Sequence, residues 1–182
     1  MNFTEAQEDM RTSYFGGGPG VFASGAVWLA SGVTAILTTE KTSVLVFFFA
    51  GMFIHPLGIL LSKFLKRSGQ HKKENPLSTL ALESTLLLFI GFFIAYSVMY
   101  IRPNWFFPVM MLIIGGRYLL FSSIYGMRLY WLLGSILALS GALGFFFNSS
   151  FYLFGLVGGA LEILFSFVLI SLEKKSKKTK LK

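Results

Sequence analysis

The chain has 182 residues, 54% of them hydrophobic and only 13% charged, with 21 phenylalanines and a formal net charge of +8. So few charged groups could not cover that much apolar surface in water, which excludes a water-soluble globular domain. Cysteine is absent, which excludes disulfides, thiolate metal sites and cysteine nucleophiles.

The opening segment, MNFTEAQEDMRTSYF, is acidic rather than basic and precedes no small-residue cleavage site, so it does not read as a secretory signal. Phe3, Met10 and Tyr14 fall near one helical face, with Glu5, Glu8 and Asp9 on another, and Thr4 and Gln7 have capping-box spacing. This pattern predicts a short interfacial helix whose acidic face suits the protein's own basic loops better than anionic lipid. The run Gly16-Gly17-Gly18-Pro19-Gly20 reads as a flexible hinge. It lacks the Gly-Lys-Ser/Thr ending and the preceding strand of a phosphate-binding loop.

Apolar runs then follow near 20–38, 43–62, 77–100, 104–124, 128–147 and 150–171, each close to the roughly 20 residues that cross a bilayer as a helix. The expected fold is all-α, an integral membrane bundle of six transmembrane helices with short connections. It divides into a cytoplasmic segment 1–19, a transmembrane domain 20–171 and a basic tail 172–182. Asn75-Pro76 has the form of an N-cap followed by a first-turn proline, and Ser149 or Ser150 can cap the last helix. Lys63, Lys66, Arg67, Lys72 and Lys73 lie between spans two and three, and the chain ends in the lysine-rich EKKSKKTKLK. Both regions are therefore expected on the cytoplasmic side, with both termini inside, as a multi-pass protein of the plasma membrane. The tail has no aromatic residue to stack bases, so the positive charge reads as a topology signal and an attraction to anionic lipid, not as nucleic-acid binding.

Four ionisable side chains, His55, Glu83, Arg117 and Glu162, sit inside the apolar runs, where each charge costs about 2.5–3.5 kcal/mol on insertion scales. Gly155, Gly159, Glu162 and Ser166 share one face of the sixth span, so Glu162 is expected to point into the bundle. Gly51, His55, Gly58 and Ser62 form a similar row in the second span. There Pro56 cannot donate to the carbonyl of Met52, which predicts a kink. Thr79, Glu83, Leu86 and Ile90 share a face of the third. Helical rise places His55, Arg117 and Glu162 at similar depth, about 10–13 Å below the inner boundary, with Glu83 shallower. The expected resolution is an Arg117–Glu162 ion pair with Glu83 as a second carboxylate. With His55 neutral, this layer would carry one excess negative charge and suit a proton or a cationic group.

Other signals are plainer. Ala26 and Ala30, Gly25 and Gly32, and Gly134, Ala138 and Gly141 make close-packing rows, expected within the molecule. Asn148-Ser149-Ser150 matches a glycosylation sequon against the membrane. His71 has no evident partner. No zincin, Gly-x-Ser-x-Gly or paired-His spacing is present, so no metal or cofactor is expected. A faint echo links ALESTLLLFI at 81–90 with ALEILFSFVL at 160–169, on helices expected to run in opposite directions.

The segments HPLGILLSKFLKR, KENPLSTLALES and NWFFPVMMLIIGGRYLLFSSIYGM resemble those of a family of small bacterial multi-span membrane proteins catalogued only as a domain of unknown function. The resemblance implies a compact helical bundle in a bacterial membrane and brings no activity or assigned site. Span number, length and the Ala26-x-x-x-Ala30 row are also similar to the vitamin-capture subunits of energy-coupling-factor transporters, a likeness of architecture alone.

Three function classes fit these residues. The first is binding or transport of a small solute or lipid headgroup through a cytoplasmic-side polar pocket. The second is an intramembrane enzyme with Glu83 or Glu162 as general base and His55 as proton carrier. The third is a structural subunit that binds a membrane protein partner and uses the polar layer only as glue.

Overall fold

The computed structural model describes residues 1–147 and 149–180, with side chains described as far as Lys175. The sequon residue Asn148 and the tail's side chains beyond Lys175 lie outside the described residues. The described chain is all-α, with helices α1 (Phe3–Ser13), α2 (Gly18–Leu37), α3 (Glu40–Gly51), α4 (Ile54–Phe64), α5 (Leu77–Met99), α6 (Phe106–Tyr125), α7 (Leu129–Gly144) and α8 (Phe151–Lys180). Four of these, α2, α5, α6 and α8, are long and apolar enough to cross a membrane, and the bent pair α3–α4 makes a fifth crossing if counted as one. α7 is apolar but has only 16 residues. Large apolar side chains such as Leu60, Phe64, Phe93 and Phe167 are exposed around the outside, as lipid contact requires.

The break between α3 and α4 turns the chain by 52°. Its cause is local: Pro56 cannot bond back to Met52, and Met52 and Phe53 instead donate to the carbonyls of Phe49 and Ala50, three residues back. The kink is where the proline places it.

Small residues set the closest helix contacts. A Cβ on Gly25 would lie 3.0 Å from the carbonyl of Gly159, and one on Gly32 would lie 3.1 Å from the backbone of Leu156, so α2 and α8 approach backbone to backbone. Gly115 of α6 meets Gly134 and Ala138 of α7 in the same way. In contrast, Ala26 and Ala30 do not join α2 to another helix; both face outward. Between α2 and the aromatic ends of α3 and α6, Trp28, Phe47, Phe106 and Phe107 interlock as a buried cluster.

The amino-terminal helix α1 is folded onto one end of the bundle. It begins two residues earlier than the Thr4/Gln7 spacing suggests: Asn2 accepts from the backbone N–H of Glu5 while the Glu5 carboxylate accepts from that of Asn2. Its acidic face meets the loop before α5, where Asp9 Oδ2 accepts from Lys72 N–H at 3.0 Å and from Asn75 Nδ2 at 2.7 Å. Asn75 also donates to the Ala6 carbonyl and caps α5 by accepting from Leu77 N–H at 3.0 Å. Gln7 reaches the carbonyl of Ser123 at the end of α6, and Arg11 pairs with Glu173 of α8.

The glycine run read as a hinge is folded as a buried turn. Gly16 and Gly17 have φ of 63° and 78°, and the hydroxyl of Tyr130 donates to the Gly16 carbonyl at 2.7 Å. A Cβ on Gly17 would stand 2.3 Å from that hydroxyl, so both the backbone and the space require glycine.

Candidate functional site

Beneath α1, between α4 and α5 and floored by α2 and α6, lies a cavity of about 340 Å³. Its polar lining includes Tyr14, Ser24, His55, His71, Thr85 and Arg117. A second chamber of about 240 Å³ has a more aromatic wall, with Trp28, Phe47, Phe48, Phe89 and Phe92. Ser24, Ile54, His55, Thr85 and Arg117 line both, so the two chambers adjoin at these five residues.

Arg117 is positioned by α6 and held by α5. Its Nη2 donates to Thr85 Oγ1 at 3.0 Å, its Nε makes a long contact of 3.4 Å with Ser84 Oγ, and its guanidinium lies 4.9 Å from the centre of the Phe121 ring. A guanidinium has five N–H donors, and these bonds use two of them. The other three have no hydrogen-bond partner among the described residues, and Arg117 lines both chambers.

The expected Arg117–Glu162 ion pair does not form: Arg117 bonds to the hydroxyls of Ser84 and Thr85, and Glu162 to that of Tyr118. The reason is Tyr118, whose hydroxyl donates to Glu162 Oε1 at 2.9 Å and which itself lines the cavity. Glu162 is buried, as its small-residue face predicts, but behind the wall. Its Oε2 and the indole Nε1 of Trp28 are both buried without a hydrogen-bond partner.

Glu83 does not join the layer. Thr79, Glu83, Leu86 and Ile90 do share a face of α5, and that face is the exposed one. The inward face of α5 is Leu77, Ser84, Gly91 and Ala95. The small residues on that face were the signal that could have placed it, and the adjacent hydroxyls of Ser84 and Thr85 take the arginine in place of a carboxylate. Of the four ionisable side chains singled out in the sequence, the structure thus brings His55 and Arg117 to one cavity and leaves Glu83 and Glu162 off it. Pro56 follows His55 at the bend but lines neither chamber.

His71 was missed. Its Nδ1 and the hydroxyl of Tyr14 share a hydrogen bond at 2.7 Å, and both line the end of the cavity under α1. Burial raises the Tyr14 phenol pKa above its ordinary value; the bond to His71 opposes that rise and the charge of Asp9 adds to it. Among the described residues no three His, Asp or Glu side chains converge as a metal site needs.

The chain belongs to a family of unknown function, DUF7010, whose model matches residues 3–172. No curated protein and no solved structure matches it.

Proposed function

We propose that this member of the DUF7010 family binds, and in a membrane carries or presents, a small solute or lipid headgroup in the polar cavity under α1. One observation carries the reading: Arg117 and His55 stand on a cavity of about 340 Å³ instead of being locked into an ion pair in dry packing. A concave site of roughly this size with a few convergent polar groups is the usual form of a small-ligand pocket.

The same proposal places the chain in a bacterial plasma membrane as six spans with both termini cytoplasmic. In support, α1 is bonded both to the loop before α5 and to Glu173 near the end of α8, so the chain leaves and returns to one end of the bundle. That requires an even number of passes. Counting α3–α4 as one pass and the short α7 as another gives six. The end that gathers α1 also carries Lys63, Lys66, Arg67, Lys72 and Lys73, in keeping with a cytoplasmic face. The acid–base enzyme reading draws less support, because neither Glu83 nor Glu162 lines the cavity.

The test is ligand-induced thermal stabilisation of the purified full-length protein in nanodiscs, against a panel of small anions, small cations and lipid headgroups. The control is Gly20→Leu. Gly20 lines the cavity and a Cβ there meets nothing within 4 Å, so the new side chain enters open space. Saturable stabilisation of the native protein that the filled variant loses is the expected result. Equal response in both proteins, or none to any compound, would overturn the proposal.

A further inference from the structure

Resting on the binding role proposed above, we infer that the ligand is an anion carrying a single hydrocarbon chain, with its anionic group at Arg117 and its chain in the aromatic chamber. The sequence suggested the reverse charge, since two carboxylates were expected in the layer. The structure removes both from the wall. Arg117, His55 and His71 line the two chambers, and no aspartate or glutamate does. A guanidinium with donors left over in a low-dielectric slot favours a carboxylate or phosphate, which it can hold by short charge-assisted bonds.

The apolar half of the ligand follows from the second chamber. Beyond the five shared residues the wall changes from hydroxyls and imidazoles to phenylalanines, among them Phe48 and Phe92 with ring centres 4.7 Å apart. An anion alone would leave that chamber empty; an anion with a chain fills both halves and keeps its charge at Arg117.

The route of entry points to the bilayer. His55, Met52, Leu82 and Phe89 line the chambers and are also exposed on the outer surface. α4 packs on α2 and α5 packs on α6, so the slot opens sideways between α4 and α5, where an amphiphile in a leaflet can slide in without crossing water.

The experiment measures equilibrium binding of radiolabelled laurate and of dodecyl phosphate to the full-length protein in phosphatidylcholine nanodiscs. Competitors are dodecyltrimethylammonium, inorganic phosphate and acetate. The expected result is saturable binding of one anionic amphiphile per protein, about tenfold or more tighter than the cationic one, with little competition from inorganic phosphate or acetate. Arg117→Gln should lose about tenfold in affinity. If that variant does not fold, Gly51→Leu serves alone: Gly51 lines the aromatic chamber with nothing within 4 Å of a Cβ, so the added side chain should weaken both laurate and dodecyl phosphate, and unchanged affinity for both overturns the inference. Preference for laurate would name a free fatty acid as the source, and preference for dodecyl phosphate a lysophospholipid; either supports the inference. Tighter binding of the cation, or inorganic phosphate competing as well as dodecyl phosphate, overturns the inference and leaves the cavity's binding role standing. No saturable binding by any of the five compounds overturns both.

Discussion

Tyr118 and Glu162 are joined by a 2.9 Å hydrogen bond inside the bundle, and Tyr118 thus takes a different partner helix from its α6 neighbour Arg117. Tyr118 reaches across from α6 to the carboxyl group of α8, while Arg117 bonds to the hydroxyls of α5.

Tyr118→Phe would strip Glu162 of the 2.9 Å hydrogen bond to its Oε1, in a place water does not reach. The expected cost is about 1–3 kcal/mol of stability, the usual penalty for orphaning a buried polar group. Chemical denaturation in detergent should show it. Adding Glu162→Leu to Tyr118→Phe should recover part of the loss, since the orphan is then gone; a purely additive double variant would contradict this account.

Asn75→Asp separates two roles of one side chain. The carboxylate can still accept from Leu77 N–H and cap α5, but it cannot donate to Ala6, and it faces Asp9 with like charge. Faster amide exchange over Phe3–Ser13, with α5 unchanged, is the expected pattern. Loss of protection in both helices would mean the cap, not the docking, was broken.

The Tyr14 phenol gives the docked helix an alkaline limit. Because burial raises its pKa above the ordinary value, the folded state prefers the protonated phenol. Its contribution is complete below about pH 10, the unfolded value, and fades as pH rises through the folded one. Protease accessibility of residues 3–13 should therefore increase above about pH 10, and Tyr14→Phe should flatten the rise. A Tyr14→Phe profile identical to that of the native chain would rule this out.

Two glycine-to-alanine changes should have opposite signs. At Gly17 the new Cβ would meet the Tyr130 hydroxyl at a φ of 78°, and a loss of about 2 kcal/mol or more is expected. At Gly116, inside α6, a Cβ meets nothing within 4 Å, and helix propensity should add about 0.5–1 kcal/mol. Melting temperatures of the two variants measured side by side check both.

How far the sequence could be read depended on whether one helix carried enough information by itself. The kink at Pro56, the cap at Asn75 and the inward set of Glu162 each follow from a short stretch of one chain segment, and each is present. The rotation of α5 does not: Glu83 and Ser84 are neighbours about 100° apart around the helix, and hydropathy on both sides of them is similar. Choosing the carboxylate's face as the inner one followed from the cost of a lone charge. The cost was avoided differently, by leaving Glu83 on the outer surface near the start of α5. The echo between 81–90 and 160–169 accordingly ends in two different environments, one glutamate outward and one enclosed. Nor could the sequence show that Tyr118 would stand between Arg117 and Glu162, because that depends on three helices at once.

The backbone contact of α2 with α8 joins two helices with α3 to α7 between them in the chain. During synthesis, the glycine face of α2 at Gly25 and Gly32 must wait until Gly159 has emerged before its partner exists. While α3 to α7 are being made, α2 is thus an unfinished surface, shielded by α3, α4 and whatever lipid or insertion factor lies alongside. The chain closes as a clasp, with Arg11 and Glu173 fastening it at one end, and a ribosome that stops before α8 leaves α2 to α7 made and the glycine face of α2 uncovered.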